Sequence, residues 1–214
     1  MVRAFIFDLD GTLLTTEALW VQATEEYLRG LGVAISHEDA VAMVYGRSWH
    51  DIYPDLVKRM PGGGLPRPDV EEAMAPIYYG LRGSRDIRIP SSIALLERLA
   101  REYPVCIVSG SSRKEVALGV ELMGVGDALR FFLGAEDYSP GKPDPICYLK
   151  AAAKLAVPPA ECLVFEDSWA GVQAAKRAGM VCIALSRNGC PDQDLSGADV
   201  VFADLADFEL SRFQ

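Results

Sequence analysis

Six short apolar runs, at residues 2–7, 105–108, 131–133, 162–165, 181–185 and 200–202, do most to restrict the folds open to this chain. Each is too short for a buried helix and too continuous for a strand with one wet face, so each reads as a strand covered on both sides. From residue 90 onward these runs alternate with stretches of helical spacing, at about 91–102, 113–123, 143–155, 169–178 and 205–210. Strands alternating with helices predict an α/β fold, a doubly wound and mostly parallel sheet with right-handed crossovers.

The interval between the first run and the second is different. Helical spacing is expected at 17–31, where Leu19, Ala23, Tyr27 and Leu31 share a face, and again at about 36–45, 49–60 and 69–81. Gly32, Gly46 and the Pro- and Gly-rich segment 61–68 punctuate these helices, and that segment is expected to be neither helix nor strand. The chain thus divides into an α/β core at 1–14 and 87–214 and an inserted helical cap at 15–86.

In an open parallel sheet, ligands gather at the carboxyl ends of the strands. The first strand ends at Asp8-Leu9-Asp10-Gly11-Thr12, the second at Ser109-Gly110-Ser111-Ser112, and the fourth at Glu166-Asp167-Ser168. Between the second and fourth lies Gly141-Lys142-Pro143, which holds a lysine between a glycine and a proline. Adjacent strands lie about 4.8 Å apart, so side chains from neighbouring ends can meet at one centre. Carboxylates crowded there raise one another's pKa values, and a hard divalent cation removes the conflict. Oxygen-only ligands favour Mg²⁺. The cation, Lys142 and the amides opening the helix after Ser109 together suit a phosphate dianion, with one carboxylate left to attack phosphorus and another to handle a proton.

The remaining composition narrows the partners. A formal net charge of −9 disfavours nucleic acid and anionic membranes, and no run reaches the roughly 18 apolar residues of a membrane-spanning helix. The five cysteines are scattered without zinc-ligand or C-x-x-C spacing, and two histidines are too few for a histidine metal site. Reduced cysteines that act as packing residues point to a cytoplasmic protein. A monomer or small homo-oligomer is expected.

Taken in order, Asp8-Leu9-Asp10-Gly11-Thr12, Val108-Ser109-Gly110, Lys142-Pro143 and Glu166-Asp167-Ser168 with Ala170-Gly171 resemble the four motifs of the haloacid dehalogenase-like hydrolases. The branch is the one that holds β-phosphoglucomutase, phosphoglycolate phosphatase and sugar-phosphate phosphatases. The resemblance implies that Asp8 is a nucleophile that becomes phosphorylated and that Asp10 is the general acid and then base. It implies Mg²⁺ held by Asp8, the Asp10 carbonyl and Asp167, with Glu166 a ligand or a supporting partner. Ser109 and Lys142 would bind the phosphate, helped by amides of Leu9, Asp10 and Gly110. In the cap, Thr16, Trp20 and Arg47 (in Gly46-Arg47-Ser48) are candidate substrate contacts, and cap closure would exclude water.

Within that family, Asp10 argues against a dehalogenase, which has no alkoxide to protonate. The absence of lysine from 14–53 argues against an imine-forming phosphonatase. Trp20 stands where mutases of this type carry a histidine, and tryptophan cannot act as a base. The expectation is therefore a Mg²⁺-dependent phosphatase of a small phosphorylated metabolite. A hexose-phosphate mutase and a non-catalytic binding protein are the alternatives.

Overall fold

The computed structural model describes residues 1–47, 49–63, 65–187 and 190–214. The chain separates into two units, Met1–Leu14 with Arg88–Gln214, and Thr15–Ile87.

In the larger unit, β1 (Ala4–Phe7), β2 (Val105–Val108), β3 (Phe131–Leu133), β4 (Cys162–Glu166), β5 (Val181–Leu185) and β6 (Val200–Phe202) form one parallel sheet, ordered β3-β2-β1-β4-β5-β6. β1 lies in the middle because it pairs with both β2 and β4, through Phe5–Val105 and Phe5–Leu163. Every residue of β1, β2 and β4 is buried, as continuous apolar strands covered on both faces require. Strand order reverses between β2 and β4, which makes the carboxyl end of β1 the switch point where such sheets bind ligands.

The helices of this unit start where the sequence signals them. Ser112 caps α6 (Arg113–Met123) and Gly124 ends it in the left-handed region at φ 71°. Ser168 caps α8 (Trp169–Arg177) by accepting from the Gly171 amide. α5 spans Pro90–Ala100. Two expectations fail. α7 (Ile146–Leu155) begins three residues later than predicted, because Asp144 turns its carboxylate back onto the Ile146 amide. The terminal helix expected near 205–210 is two 3₁₀ turns, Leu205–Asp207 and Leu210–Phe213. Between them Phe208 is extended (ψ 123°) and buried, its ring 5.1 Å from that of Phe165 and stacked on Phe213. Seating that ring interrupts the helix.

The smaller unit is helical: α1 (Thr16–Gly30), α2 (His37–Val44), α3 (Trp49–Arg59) and α4 (Arg67–Gly83). Ser36 caps α2 through the Asp39 amide. Buried Leu19, Ala23 and Leu28 on α1 belong to the same unit as buried Val70, Met74 and Tyr78 on α4. Leu31, predicted on the buried face, lies just past the end of α1 and is exposed, and Leu28 takes its place. The segment expected to be irregular throughout contains a 3₁₀ turn, Pro61–Gly63, closed by Gly62 at φ 72°, and its last two residues, Arg67 and Pro68, already belong to α4, whose first turn accepts a proline. Gly64 of that segment lies outside the described residues, as does Ser48. Among the described residues no helix is long and apolar enough to cross a membrane.

Candidate active site

β1 delivers Asp8 to the edge of the sheet, where its amide still donates to Phe165 of β4 (2.9 Å). The chain then folds tightly. Leu13 and Leu14 donate back to the Leu9 carbonyl, and the Gly11 amide donates to the Leu14 carbonyl at 2.7 Å. Gly11 sits at φ 83°, and a β-carbon there would lie 1.8 Å from Asp167 Oδ2. No other residue type fits against that carboxylate in that conformation.

The strand ends converge as the sequence predicts. Asp8 is 5% exposed, and Ser109 and Glu166 are fully buried. Oxygens of Asp8, Glu166 and Asp167 lie within 4.8 Å of one another. Lys142 reaches back from the loop before α7 and donates to Asp8 Oδ1 (2.6 Å), Glu166 Oε1 (2.6 Å) and the Val108 carbonyl (3.3 Å). An ammonium group has three protons, and all three are engaged.

Asp10 is gripped differently. Its Oδ2 accepts from Ser109 Oγ at 2.8 Å and from Ser111 Oγ at 2.7 Å, while Ser109 Oγ itself accepts from the Ser111 amide at 2.9 Å. The start of α6 is partly occupied too: the Arg113 amide donates to Glu136 and the Glu115 amide to Ser112 Oγ. The Leu9 and Gly110 amides, both expected to face phosphate, have no acceptor among the described residues.

The electrostatics separate the acids. Burial pushes the Asp8 carboxyl well above its ordinary range; Lys142 opposes this, while Glu166 and Asp10 add to it. Glu166 is equally buried, yet it is held below its ordinary value, because Lys142 and hydrogen bonds from Tyr148 and Ser168 outweigh the desolvation. Lys142 loses by burial and gains more from Asp8 and Glu166, so it stays protonated. A buried set of oxygen donors around an acid that resists ionisation suits a hard divalent cation, which would relieve Asp8 directly.

Three supporting residues had no signal in the sequence. The Tyr148 hydroxyl donates to Glu166 Oε1 at 2.7 Å, and the Tyr138 hydroxyl donates to the Ser109 carbonyl at 2.7 Å. Each is an aromatic residue in a stretch that reads as packing. Ser111, two residues beyond Ser109, offers an amide at the helix start in the sequence, and nothing there signals the bond from its hydroxyl to Asp10. In the helical unit, Thr16 is buried at the start of α1, and Trp20 stacks on Tyr78 with ring centroids 4.1 Å apart and planes 14° apart. Arg47 donates to the Met43 and Asp51 carbonyls and to Asp55 Oδ2, so it ties α2 to α3.

The family model for haloacid dehalogenase-like hydrolases matches residues 2–179. The chain belongs to that family. As a haloacid dehalogenase-like hydrolase it is 30% identical over 209 residues to validoxylamine A 7'-phosphate phosphatase of Streptomyces hygroscopicus subsp. limoneus, covering 97% of this chain and 96% of that one. Among solved structures it is similar to a haloacid dehalogenase family hydrolase from Deinococcus radiodurans R1 with bound phosphate and sodium (25% identity, 99% and 95% coverage, TM-score 0.76). It shares its fold with CbbY of Rhodobacter sphaeroides (24% identity, 97% and 96% coverage, TM-score 0.81).

Proposed function

We propose that this hydrolase is a Mg²⁺-dependent phosphatase of a small phosphorylated metabolite, a sugar phosphate or phosphoglycolate-like ester, working through a phosphorylated Asp8. The observation that carries the reading is the placement of two acids with unlike partners, two residues apart, at the switch point of the sheet. Asp8 is bound by an ammonium and Asp10 by two hydroxyls. The 30% identical relative named as a phosphatase and the phosphate bound by the Deinococcus protein support it.

In the first step an Asp8 carboxylate oxygen attacks phosphorus, the bond from phosphorus to the ester oxygen breaks, and Asp10 gives its proton to the leaving alkoxide. In the second, Asp10 takes a proton from water as the water oxygen attacks phosphorus, and the bond to Asp8 breaks to release phosphate. Ser109 and the Leu9, Asp10 and Gly110 amides hold the phosphoryl oxygens, and Lys142 joins them by giving up its longest bond, to the Val108 carbonyl (3.3 Å). Because Ser109 Oγ donates to Asp10 beforehand, turning that hydroxyl to phosphate removes one of the two hydroxyls that Asp10 Oδ2 accepts from, and leaves Ser111. Asp8, Asp167 and the Asp10 carbonyl are the residues that would hold Mg²⁺, which neutralises charge on the phosphate dianion. Trp20 has no exchangeable basic site, which favours water over a sugar hydroxyl as the acceptor.

Thr16, Trp20 and Arg47 are kept as the candidates for substrate selection, and a cytoplasmic monomer or small homo-oligomer fits the free cysteines. The test is turnover of p-nitrophenyl phosphate with Mg²⁺. Activity that vanishes on chelation and falls at least about 1000-fold in Asp8→Asn supports the reading. Full activity in that variant, or none in the parent, rejects it.

A further inference from the structure

Both carboxylate oxygens of Glu166 are engaged by donors of the protein itself. Its Oε1 accepts from Lys142 Nζ (2.6 Å) and Tyr148 OH (2.7 Å). Its Oε2 accepts from the Asp167 amide (3.0 Å), the Ser168 amide (3.2 Å) and Ser168 Oγ (3.1 Å). A carboxylate offers about four lone-pair positions, and five donors already address them. Rotation gives no relief. Gly171 lies so close that a β-carbon on it would fall 1.7 Å from Oε1. Proximity to Asp8 and Asp167 therefore does not make Glu166 available to a cation.

Tyr148 is the member of this cage that comes from outside the motifs. It is fully buried on α7, and Lys142 Nζ sits 5.1 Å above its ring centroid. The ring thus supports the ammonium while the hydroxyl fixes the carboxylate on which that ammonium rests. Without the hydroxyl, Oε1 has Lys142 alone, and the hold of Glu166 on Lys142 and on the Asp167 backbone slackens.

We propose that Tyr148 is a positioning residue of the metal centre: its hydroxyl completes the cage around Glu166, so that Glu166 orients Lys142 and the Asp167 backbone and does not itself ligate the cation. The inference rests on the Mg²⁺-dependent reading above. It assigns direct carboxylate ligation to Asp8 and Asp167, and it makes a phenol on the third motif's helix a determinant of cation affinity. Buried partners that orient ligands carry effects of about 10- to 100-fold on metal affinity.

The experiment is calorimetric titration of MgCl₂ into the metal-stripped full chain, as wild type, Tyr148→Phe, Glu166→Gln and Asp167→Asn, with a thermal melt of each. The expected result is Mg²⁺ binding by the wild type, none by Asp167→Asn, and a dissociation constant raised about tenfold in Tyr148→Phe. Glu166→Gln is expected to keep measurable binding. Unchanged or tighter Mg²⁺ binding by Tyr148→Phe, even with a lowered melting temperature, makes Tyr148 a packing residue and overturns the proposal. So does loss of binding by Glu166→Gln as complete as that of Asp167→Asn. If Tyr148→Phe does not fold, the comparison of Glu166→Gln with Asp167→Asn decides. Wild-type protein that binds no Mg²⁺ rejects the phosphatase reading along with the inference, whereas a normal wild type with an unaffected Tyr148→Phe rejects the inference alone.

Discussion

Gly171 and Glu166 are pressed together so closely that a β-carbon on residue 171 would overlap the Glu166 carboxylate, at 1.7 Å from Oε1 and 1.8 Å from Cδ. The first turn of α8 is thus the wall against which the buried acid is set. Gly171→Ala is expected to fold with a lowered melting temperature and to lose at least about tenfold in Mg²⁺ affinity, because Glu166 must leave its cage. Ala at the exposed Gly83 of α4, where a β-carbon meets nothing within 4 Å, is the control and should change neither. Calorimetry and thermal melts read both.

Lys142 is shared by two buried carboxylates, so its removal leaves charge without a partner. Lys142→Ala is expected to destabilise the metal-free protein by about 3–5 kcal/mol in urea unfolding. Part of that loss should return on adding Mg²⁺, since a cation bound only by the native state stabilises it. A loss under about 1 kcal/mol would show that Asp8 and Glu166 do not depend on the ammonium.

Asp8 and Glu166 are expected to shift stability with pH in opposite directions. The native Glu166 carboxyl lies below its unfolded value of 4.5, so its contribution is present above that pH and is lost as pH falls through the native value. The native Asp8 carboxyl lies above its unfolded value of 3.8, so ionising it disfavours the native state, and stability falls as pH rises from 3.8 through the native value. Metal-free Asp8→Asn should therefore melt higher than wild type at pH 7, with the gap closing toward pH 4, while Glu166→Gln should melt lower at pH 7. Melts in chelator across pH 4–8 check this, and two variants moving in the same direction at pH 7 would contradict it.

The thiols divide by burial. Cys106, Cys147, Cys162 and Cys182 are buried, and burial pushes Cys147 and Cys162 each up to about 11. Cys190 is half-buried. Reaction with an aromatic disulfide reagent at pH 8 should show about one fast thiol in native protein and all five in denaturant, since the thiolate is the reactive form.

What the sequence made legible was whatever depends on local pattern. Phe5-Ile6-Phe7 before Asp8 and Leu163-Val164-Phe165 before Glu166 are continuous apolar runs ending in acids, so both strand ends and their shared edge could be read without coordinates. The supporting shell could not. Tyr148 lies on an amphipathic helix where a phenol reads as core, and its meeting with Glu166 depends on how α7 is rotated against β4. Ser111 looked like one more helix-start residue until the turn at Gly11 brought Asp10 against it. The terminal segment failed for a related reason. Leu205 and Phe208, three residues apart, are spaced like one face of a helix, and the demand of Phe208 for a place beside Phe165 is invisible in the local pattern.

Because β1 is central in the sheet, the contacts that complete the proposed catalytic centre join distant parts of the chain: 99 residues separate Ser109 from Asp10, and 134 separate Lys142 from Asp8. On the ribosome, Asp8 is made before the helical unit, α5, β2, α6 and β3, and only after all of these does its ammonium partner exist. Its companion acid at 167 comes later still. A chain released before β4 is complete has the proposed nucleophile and the serine proposed to bind phosphate, but neither Glu166 beside Lys142 nor Asp167, the proposed partner of Asp8 in holding a cation. The centre therefore cannot be complete until residue 167 has been made.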